Sequence, residues 1–254
     1  MLLVGNDIVD LNKAGYPDKH KNSRFVTRVF SEQEQTAIFN SANQDLTLWM
    51  IWAAKETAFK LISKISGPPV FSHKKFQTVL QRLKNLDGIS VEAAAQVTYA
   101  KQIFDLKIFA NIECVHAVGS VQRDGKKSDD VTFSNTKFVD AQERKKWGSE
   151  MRRKKHFTEV ELASIGYPES ALVRFYCKQE VASRLKIEPA RLQILRPQDK
   201  NKSLPPFLLL DNERVNINLS LSHHGKWLAW IYSLPKSTSA DLRSNEMSQS
   251  KSLQ

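Results

Sequence analysis

Cysteine is scarce in this sequence: Cys114 and Cys177 are the two in 254 residues. They lie far apart and form no paired spacing. Such usage excludes a disulfide framework and a cysteine-rich zinc site, and it predicts a reducing compartment. We therefore expect a cytoplasmic protein.

Long apolar runs are missing as well. No window approaches the ~20 apolar residues that a transmembrane helix requires, so we expect no membrane partner. The N-terminal MLLVGNDIVD has neither a basic region nor a small-residue cleavage site, which argues against a signal peptide. Hydrophobic content of 41% with 26% charged residues is typical of a globular protein.

Acidic residues are in deficit. The chain has 38 Lys and Arg against 27 Asp and Glu, a net charge of +11. This excess predicts an anionic counterpart, and nucleic acid is one class of such counterparts. A phosphate-rich cofactor or an acidic protein partner explains the charge equally well. No helix-turn-helix, zinc or RNA-binding motif supports nucleic acid.

Two polar stretches divide the chain. The first is predicted to be a linker, and the second, at the C-terminus, has little to bury and is predicted to be disordered. The prediction is a first subdomain (1–122), a linker (123–137), a second subdomain (138–235) and a disordered tail (236–254).

The two blocks contain similar segments in the same order. RVFSEQE at 28–34 resembles KHFTEVE at 155–161. Each predicts a helix start, with Ser31 or Thr158 as N-cap and a glutamate at the third helical position.

Two further pairs of segments follow. WAAKETAFKLI at 52–62 resembles FYCKQEVASRL at 175–185, and each block ends in a β-like run, at 108–121 and at 219–233. The common order favours duplication. We predict an α+β fold of two similar α/β subdomains in a pseudo-twofold arrangement.

The segment VGNDIVD at 4–10 alternates as a short β-strand does. An acid such as Asp7 in a strand of this kind is expensive to bury unless it is paired or bound to a cation. The alternative is an aspartate at the strand end that caps the next turn.

The segment WAAKETAFK at 52–60 predicts a helix with an apolar seam. The seam consists of Ile51, Ala54, Ala58, Leu61 and Ile65. Glu56 and Lys60 share an adjoining face, with Lys64 one turn further. A surface Glu–Lys pair is a common alternative. A carboxylate beside two lysines also suits magnesium pyrophosphate, since it offers a hard oxygen for the metal and positive charge for the phosphates.

The run SLSHHG at 220–225 ends an alternating strand. Ser222 and His223 carry donors that suit a phosphate, but the same residues suit a turn that leads to Gly225. The adjacent histidines suggest a metal only weakly, because no further ligand follows at a suitable spacing.

Taken together, these motifs resemble the 4′-phosphopantetheinyl transferase superfamily. The strand with G-x-D and the helix with K-E-x-x-x-K resemble the holo-acyl-carrier-protein synthase pattern in particular. The remaining segments that carry the resemblance are RFVTRVFSEQE (24–34), PPFLLLDNE (205–213) and S-x-S-H (220–223). Asn6, Asp10 and Thr57 depart from the usual residues of the family.

The resemblance implies an enzyme that moves the phosphopantetheine group of coenzyme A to a serine of an acidic acyl or peptidyl carrier protein, in fatty-acid biosynthesis or a related pathway, and releases 3′,5′-ADP. It implies that Asp7 and Glu56 bind Mg²⁺ and that Glu56 and Lys60 are catalytic. The residues implied to bind the cofactor are Lys60, Lys64, Ser222 and His223. Arg24 and Arg28 are implied to dock the carrier protein, partly by electrostatic steering.

Comparison of the two blocks predicts one working cleft. Gln179 stands opposite Glu56 and Ser183 opposite Lys60, so the second block lacks the metal and phosphate residues. Asn111 stands opposite His223, so the first block lacks the Ser-His pair. We therefore expect a monomer with one composite site. A degenerate module that only binds a carrier protein and a basic nucleic-acid-binding protein are the alternatives.

Overall fold

The computed structural model describes residues 1–13, 17–70, 72–86, 89–123, 128–199 and 202–236. We call residues up to 123 the N-terminal part and residues from 128 the C-terminal part. Seven α-helices lie in the described residues: α1 (Ser23–Val29), α2 (Glu32–Phe39), α3 (Gln44–Ser66), α4 (Ala141–Gly148), α5 (Glu150–His156), α6 (Glu159–Leu162) and α7 (Pro168–Leu185). The predicted disorder of the tail stays a prediction, because residues 237–254 lie outside the described ones.

Thirteen strands lie in the same residues: β1 (Leu2–Asp10), β2 (Phe76–Asn85), β3 (Val91–Tyr99), β4 (Gln102–Ala110), β5 (Cys114–Gln122), β6 (Val131–Phe138), β7 (Leu192–Leu195), β8 (Gln198–Asp199), β9 (Lys202–Ser203), β10 (Phe207–Leu210), β11 (Glu213–Arg214), β12 (Leu219–His224) and β13 (Trp227–Leu234). The predicted strand at 4–10 lies within β1, and the predicted helix at 52–60 lies within α3. The mixed helix and sheet content that we predicted is confirmed.

The N-terminal part is an antiparallel sheet of five strands, in the order β1-β5-β4-β3-β2, with α3 packed on it. Gly5 of β1 lies opposite Gly119 of β5. A Cβ at Gly5 would lie 2.9 Å from Cγ of Leu61 and 2.9 Å from the backbone oxygen of Thr57. The glycine therefore lets α3 approach β1 closely, which brings the lysines of this helix to the strand.

The C-terminal part is built on a second antiparallel sheet, in the order β12-β13-β6, with α7 packed against β12 and β13. Two smaller sheets accompany it, β11-β10-β7 and β8-β9. Its apolar core includes Trp147, Leu172 and Tyr232 and is separate from the main core of the N-terminal part. Two cores are compatible with two subdomains, but the pseudo-twofold relation stays a proposal.

Both predicted capping boxes are present. In the N-terminal part, the Glu34 carboxylate accepts hydrogen bonds from the N–H groups of Ser31 and Thr78. It also lies 2.7 Å from the ammonium of Lys55, which donates to the carbonyl of Val29 as well. One buried ion pair thus joins α2, α3 and β2.

The C-terminal part repeats this arrangement. The Glu161 carboxylate accepts from the N–H groups of Thr158 and Ile194 and lies 3.1 Å from the ammonium of Lys178. Lys178 donates to the carbonyl of His156. The same local contacts in both parts support the internal repeat proposed from the sequence.

The predicted linker at 123–137 is wrong in its second portion. Val131–Phe138 is strand β6, which pairs with β13 along its whole length. Phe133 stacks on Tyr232 with ring centroids 5.5 Å apart. Thr132, Ser134 and Asn135 occupy exposed positions of this edge strand, and the composition of β6 therefore resembles that of a loop.

No helix within the described ranges is long and apolar enough to cross a bilayer.

Candidate active site

The edge of β1 that does not pair with β5 faces strand β12 of the C-terminal part. The N–H groups of Val4, Asn6, Ile8 and Asp10 point away from β5, and each donates to a side chain that belongs to β12 or precedes it. The acceptors, in order, are Asn218 Oδ1 at 2.9 Å, Ser220 Oγ at 3.2 Å, Ser222 Oγ at 3.3 Å and His224 Nδ1 at 2.9 Å. We call these four side chains the β12 ladder. They satisfy backbone donors that would otherwise be buried without partners.

Two lysines of α3 bind the carbonyls on the same edge. Lys60 donates to the carbonyl of Asn6 at 2.7 Å. Lys64 donates to the carbonyls of Val4 and Leu219, and to Oδ1 of Asn218 at 2.8 Å. All three hydrogens of the Lys64 ammonium are therefore engaged. Burial lowers the pKa of Lys64 to about 7, and the charge of Lys60 adds to the effect.

Asp7 is held at one of its two carboxylate oxygens. Oδ1 accepts from the Lys60 ammonium at 2.9 Å and from the Ser222 hydroxyl at 2.8 Å. Oδ2 accepts no hydrogen bond from the residues that the structure describes. The side chain is 12% exposed and borders a cavity. A fixed carboxylate with one unused oxygen has the donor type that Mg²⁺ prefers.

The cavity, of about 300 Å³, lies between the two parts of the chain. Asp7, Lys60 and Lys64 line it from the N-terminal part, and Arg174, Arg196, Ser222 and His223 line it from the C-terminal part. Three cationic side chains, Lys60, Arg174 and Arg196, thus surround one carboxylate, and Lys64 adds partial charge because its pKa is about 7. Such a charge distribution favours a ligand with several anionic oxygens.

Sequence reasoning missed the two arginines. Arg174, on α7, is 3% exposed and donates to the carbonyls of Ser170 and Ser164. Burial lowers its pKa to about 10, with Arg196 the next cause, so the guanidinium stays charged at neutral pH. The signal was present in the run ALVRFYC, where an arginine interrupts apolar helical positions. No local signal marked Arg196, which follows β7.

The pKa of the His223 imidazole is influenced by burial and by nearby charges of both signs. Protein atoms around the cavity desolvate the ring and lower its pKa, and the charges of Lys60, Arg174 and Arg196 act in the same direction. Glu169 opposes them. An anionic ligand in the cavity would favour the protonated ring, because it would offset the surrounding positive charge.

Glu56 does not line the cavity in the part of the chain that is described. Its carboxylate lies 3.7 Å from Nε2 of His73, whose ring stacks on Trp52. Glu56 shares a helix face with Lys60, about 6 Å away along α3. Its predicted roles as metal ligand and as base stay predictions.

The predicted docking arginines, Arg24 and Arg28, are exposed and lie one turn apart on α1. This position is open to a partner, and the docking role stays a prediction. Asp10 has a structural role: its carboxylate accepts from the N–H groups of Asn12 and Lys226. The interpretation of a strand-end aspartate that caps a turn therefore describes Asp10 rather than Asp7.

Among the described residues, one group of three carboxylate or imidazole side chains is close enough to share a metal: Asp18, His20 and Asp45. It lies at the start of α3, where Asp45 accepts from the N–H groups of Asp18 and His20. These hydrogen bonds account for the cluster. A metal at Asp7 would therefore have few protein ligands, as is usual for Mg²⁺ that is bound together with phosphate.

Comparison with known proteins agrees with the resemblance seen in the motifs. Residues 3–117, which include Asp7, Glu56 and Lys60, match the sequence model of the 4′-phosphopantetheinyl transferase superfamily. No curated protein matches the chain. Among solved structures, the holo-[acyl-carrier-protein] synthase of Thermotoga maritima is similar over 62% of this chain and 76% of its own, with 15% identity and a TM-score of 0.33. On this match, residues 3–117, just under half of the chain, belong to the 4′-phosphopantetheinyl transferase superfamily, whose members transfer phosphopantetheine to carrier proteins.

Proposed function

We propose that this chain is a 4′-phosphopantetheinyl transferase of the holo-acyl-carrier-protein synthase type. It transfers the phosphopantetheine group of coenzyme A to a serine of an acidic acyl or peptidyl carrier protein and releases 3′,5′-ADP. The observation that carries the proposal is the cavity, where one carboxylate from the N-terminal part meets cations from both parts. Coenzyme A has the matching chemistry, a pyrophosphate and a separate 3′-phosphate.

Asp7 fits a divalent metal. Asp7 offers a carboxylate oxygen that accepts no hydrogen bond from the described residues, and Glu56 supplies a second carboxylate on the same helix face as Lys60. These two residues would hold Mg²⁺, which neutralises charge that develops on a departing phosphate. The proposal needs no third protein ligand, because phosphate oxygens complete such sites.

The cationic side chains that line the cavity have different roles. Lys60 uses two of its three hydrogens on Asn6 and Asp7, so one remains for a phosphate oxygen. Arg196 and His223 act from the opposite wall, and the Arg196 guanidinium suits two oxygens of one phosphate. Arg174 contributes positive charge, because its Nη1 and Nη2 groups already donate to Ser170 and Ser164. We assign Lys64 to holding β1 in place, because its hydrogens are already engaged.

The attacking serine must lose a proton. Glu56 takes this proton directly or through a water. It is the carboxylate of α3 nearest to Lys60, and unlike Asp7 it is not held by that lysine. Arg24 and Arg28 dock the carrier protein, and the net charge of +11 accelerates the encounter with an acidic partner. We further propose that the chain works as a monomer, because both walls of the cavity come from one chain. We place it in the cytoplasm because its two cysteines have no paired spacing, which suits a reducing compartment.

The test is formation of the holo form of a carrier protein from coenzyme A and Mg²⁺, followed by mass spectrometry. Wild type should transfer the group, and Glu56→Gln and Arg196→Met should be at least about tenfold slower, the loss typical for a positioned acid or base and for a charged contact. Exposed Lys146→Met is the matched control for loss of one cation. Equal rates in Glu56→Gln and wild type would contradict the mechanism.

Three outcomes separate the functions considered. Transfer supports the enzyme. Carrier binding without transfer, under any metal condition, would favour a degenerate binding module. Binding of nucleic acid in place of carrier protein would favour the remaining class, whose salt dependence is steep.

A further inference from the structure

The β12 ladder contains two serines in equivalent places. Side chains of a strand point the same way at every second residue, so Ser220 and Ser222 both face the edge of β1. Each hydroxyl accepts from a β1 N–H group, at 3.2 and 3.3 Å. The two serines are 2% and 7% exposed, respectively. As supports for the strand they are interchangeable.

They differ in where the hydroxyl proton goes. The Ser222 hydroxyl donates its proton to Oδ1 of Asp7 at 2.8 Å, while Ser220 has no such contact with a carboxylate among the described residues. A hydroxyl carries one proton, so Ser222 has none left for a phosphate oxygen. We propose that Ser222 is a positioning residue that fixes the carboxylate of Asp7, and not a ligand of coenzyme A. This inference depends on the proposed function in one respect: it assumes that a metal binds at Asp7.

The physical reason lies in the competition for Asp7. Lys60 and Ser222 both bind Oδ1, which leaves Oδ2 for a cation. Without the hydroxyl, the carboxylate is free to turn and offer both oxygens to the Lys60 ammonium. A metal would then have to displace an ion pair. Ser222 therefore keeps the lysine and the metal on different oxygens, as residues behind a metal ligand commonly do.

The experiment measures metal binding in the full-length protein without turnover. Mn²⁺ replaces Mg²⁺ as the probe and is titrated, with coenzyme A present and no carrier protein, by electron paramagnetic resonance of the free ion. Ser222→Ala should bind Mn²⁺ about tenfold more weakly, the lower end of the loss seen for such supporting residues. Ser220→Ala, the matched control, should change the affinity less than about twofold, because it removes a hydroxyl that lacks this role.

Two further measurements test whether the loss of Mn²⁺ affinity comes from the missing hydroxyl and not from a damaged fold. Ser222→Thr keeps the hydroxyl and should restore the affinity for Mn²⁺, and both alanine variants should remain folded at the temperature of the titration, as circular dichroism would show. Wild-type affinity in Ser222→Ala, or equal losses in both alanine variants, would overturn the proposal. Weaker binding of coenzyme A to Ser222→Ala in the absence of metal would also overturn it, since Ser222 would then be a ligand. Failure of the wild type to modify any carrier would refute the transferase proposal and leave the Mn²⁺ comparison valid.

Discussion

Lys55→Met would remove a charge from the most deeply buried ion pair of the N-terminal part. The Lys55 and Glu34 side chains are 0% and 1% exposed. The ammonium lies 2.7 Å from Glu34 Oε2 and 3.0 Å from the carbonyl of His73. Burial lowers the pKa of Lys55, and the charge of Glu34 opposes that effect. The substitution keeps the length of the side chain but leaves a carboxylate in the core without its cation.

Loss of one member of a buried pair costs about 3–5 kcal/mol, because the remaining charge stays desolvated. Two N–H donors remain on Glu34, from Ser31 and Thr78, and they reduce the penalty. We therefore expect a loss of about 3 kcal/mol in the free energy of unfolding. With an m-value of about 3 kcal/mol/M, the urea midpoint should fall by about 1 M.

Urea unfolding followed by tryptophan fluorescence measures this loss, and a double-mutant cycle explains it. Glu34→Gln removes the charge that Lys55→Met leaves behind, so the double variant should be more stable than the sum of the single losses implies, by on the order of 1–3 kcal/mol. Lys178→Met is the matched substitution in the C-terminal part and should be similarly costly. A loss below about 1 kcal/mol for Lys55→Met, or an additive cycle, would refute the reasoning.

Three further outcomes follow. Burial lowers the pKa of His116 from 6.5 to about 4, so between these pH values the unfolded chain binds a proton that the folded chain does not. The free energy of unfolding should therefore fall by roughly 3 kcal/mol as the pH drops from 6.5 to 4. Urea titrations at several pH values measure this loss, and His116→Gln should reduce it. Gly225 has φ +55°, and its Cβ would lie 2.1 Å from Oδ2 of Asp10. Gly225→Ala should therefore cost more than about 1 kcal/mol by thermal unfolding, while Gly148→Ala, whose surroundings are open, should not. Burial raises the pKa of Cys114 to about 12, so iodoacetamide should modify it at pH 8 only after unfolding, as mass spectrometry would detect.

Features set by neighbouring residues were predictable. The alternation of VGNDIVD predicted β1, and the seam from Ile51 to Leu61 predicted the buried face of α3. The capping boxes at Ser31 and Thr158 were read from residues three apart. Each of these signals depends on local geometry alone, so a single sequence contains it.

Features set by distant residues were not predictable. Arg174 and Arg196 reach the cavity only because the C-terminal part folds against β1. The acceptors of Lys64 include Asn218 and Leu219, more than 150 positions away, so the sequence suggested a free ammonium where the structure has an engaged one. Strand β6 was missed because an edge strand exposes polar residues that also suit a loop.

The β12 ladder also determines when the site can form during synthesis. Each of its four bonds joins residues 214 positions apart. Strand β1 therefore leaves the ribosome long before its partners exist, and its outer edge stays open while the rest is made. An open edge of apolar residues such as Leu3 and Val4 invites pairing with other chains. The C-terminal part therefore also protects the N-terminal part, because its strand β12 closes that edge once residues 218–224 have been made.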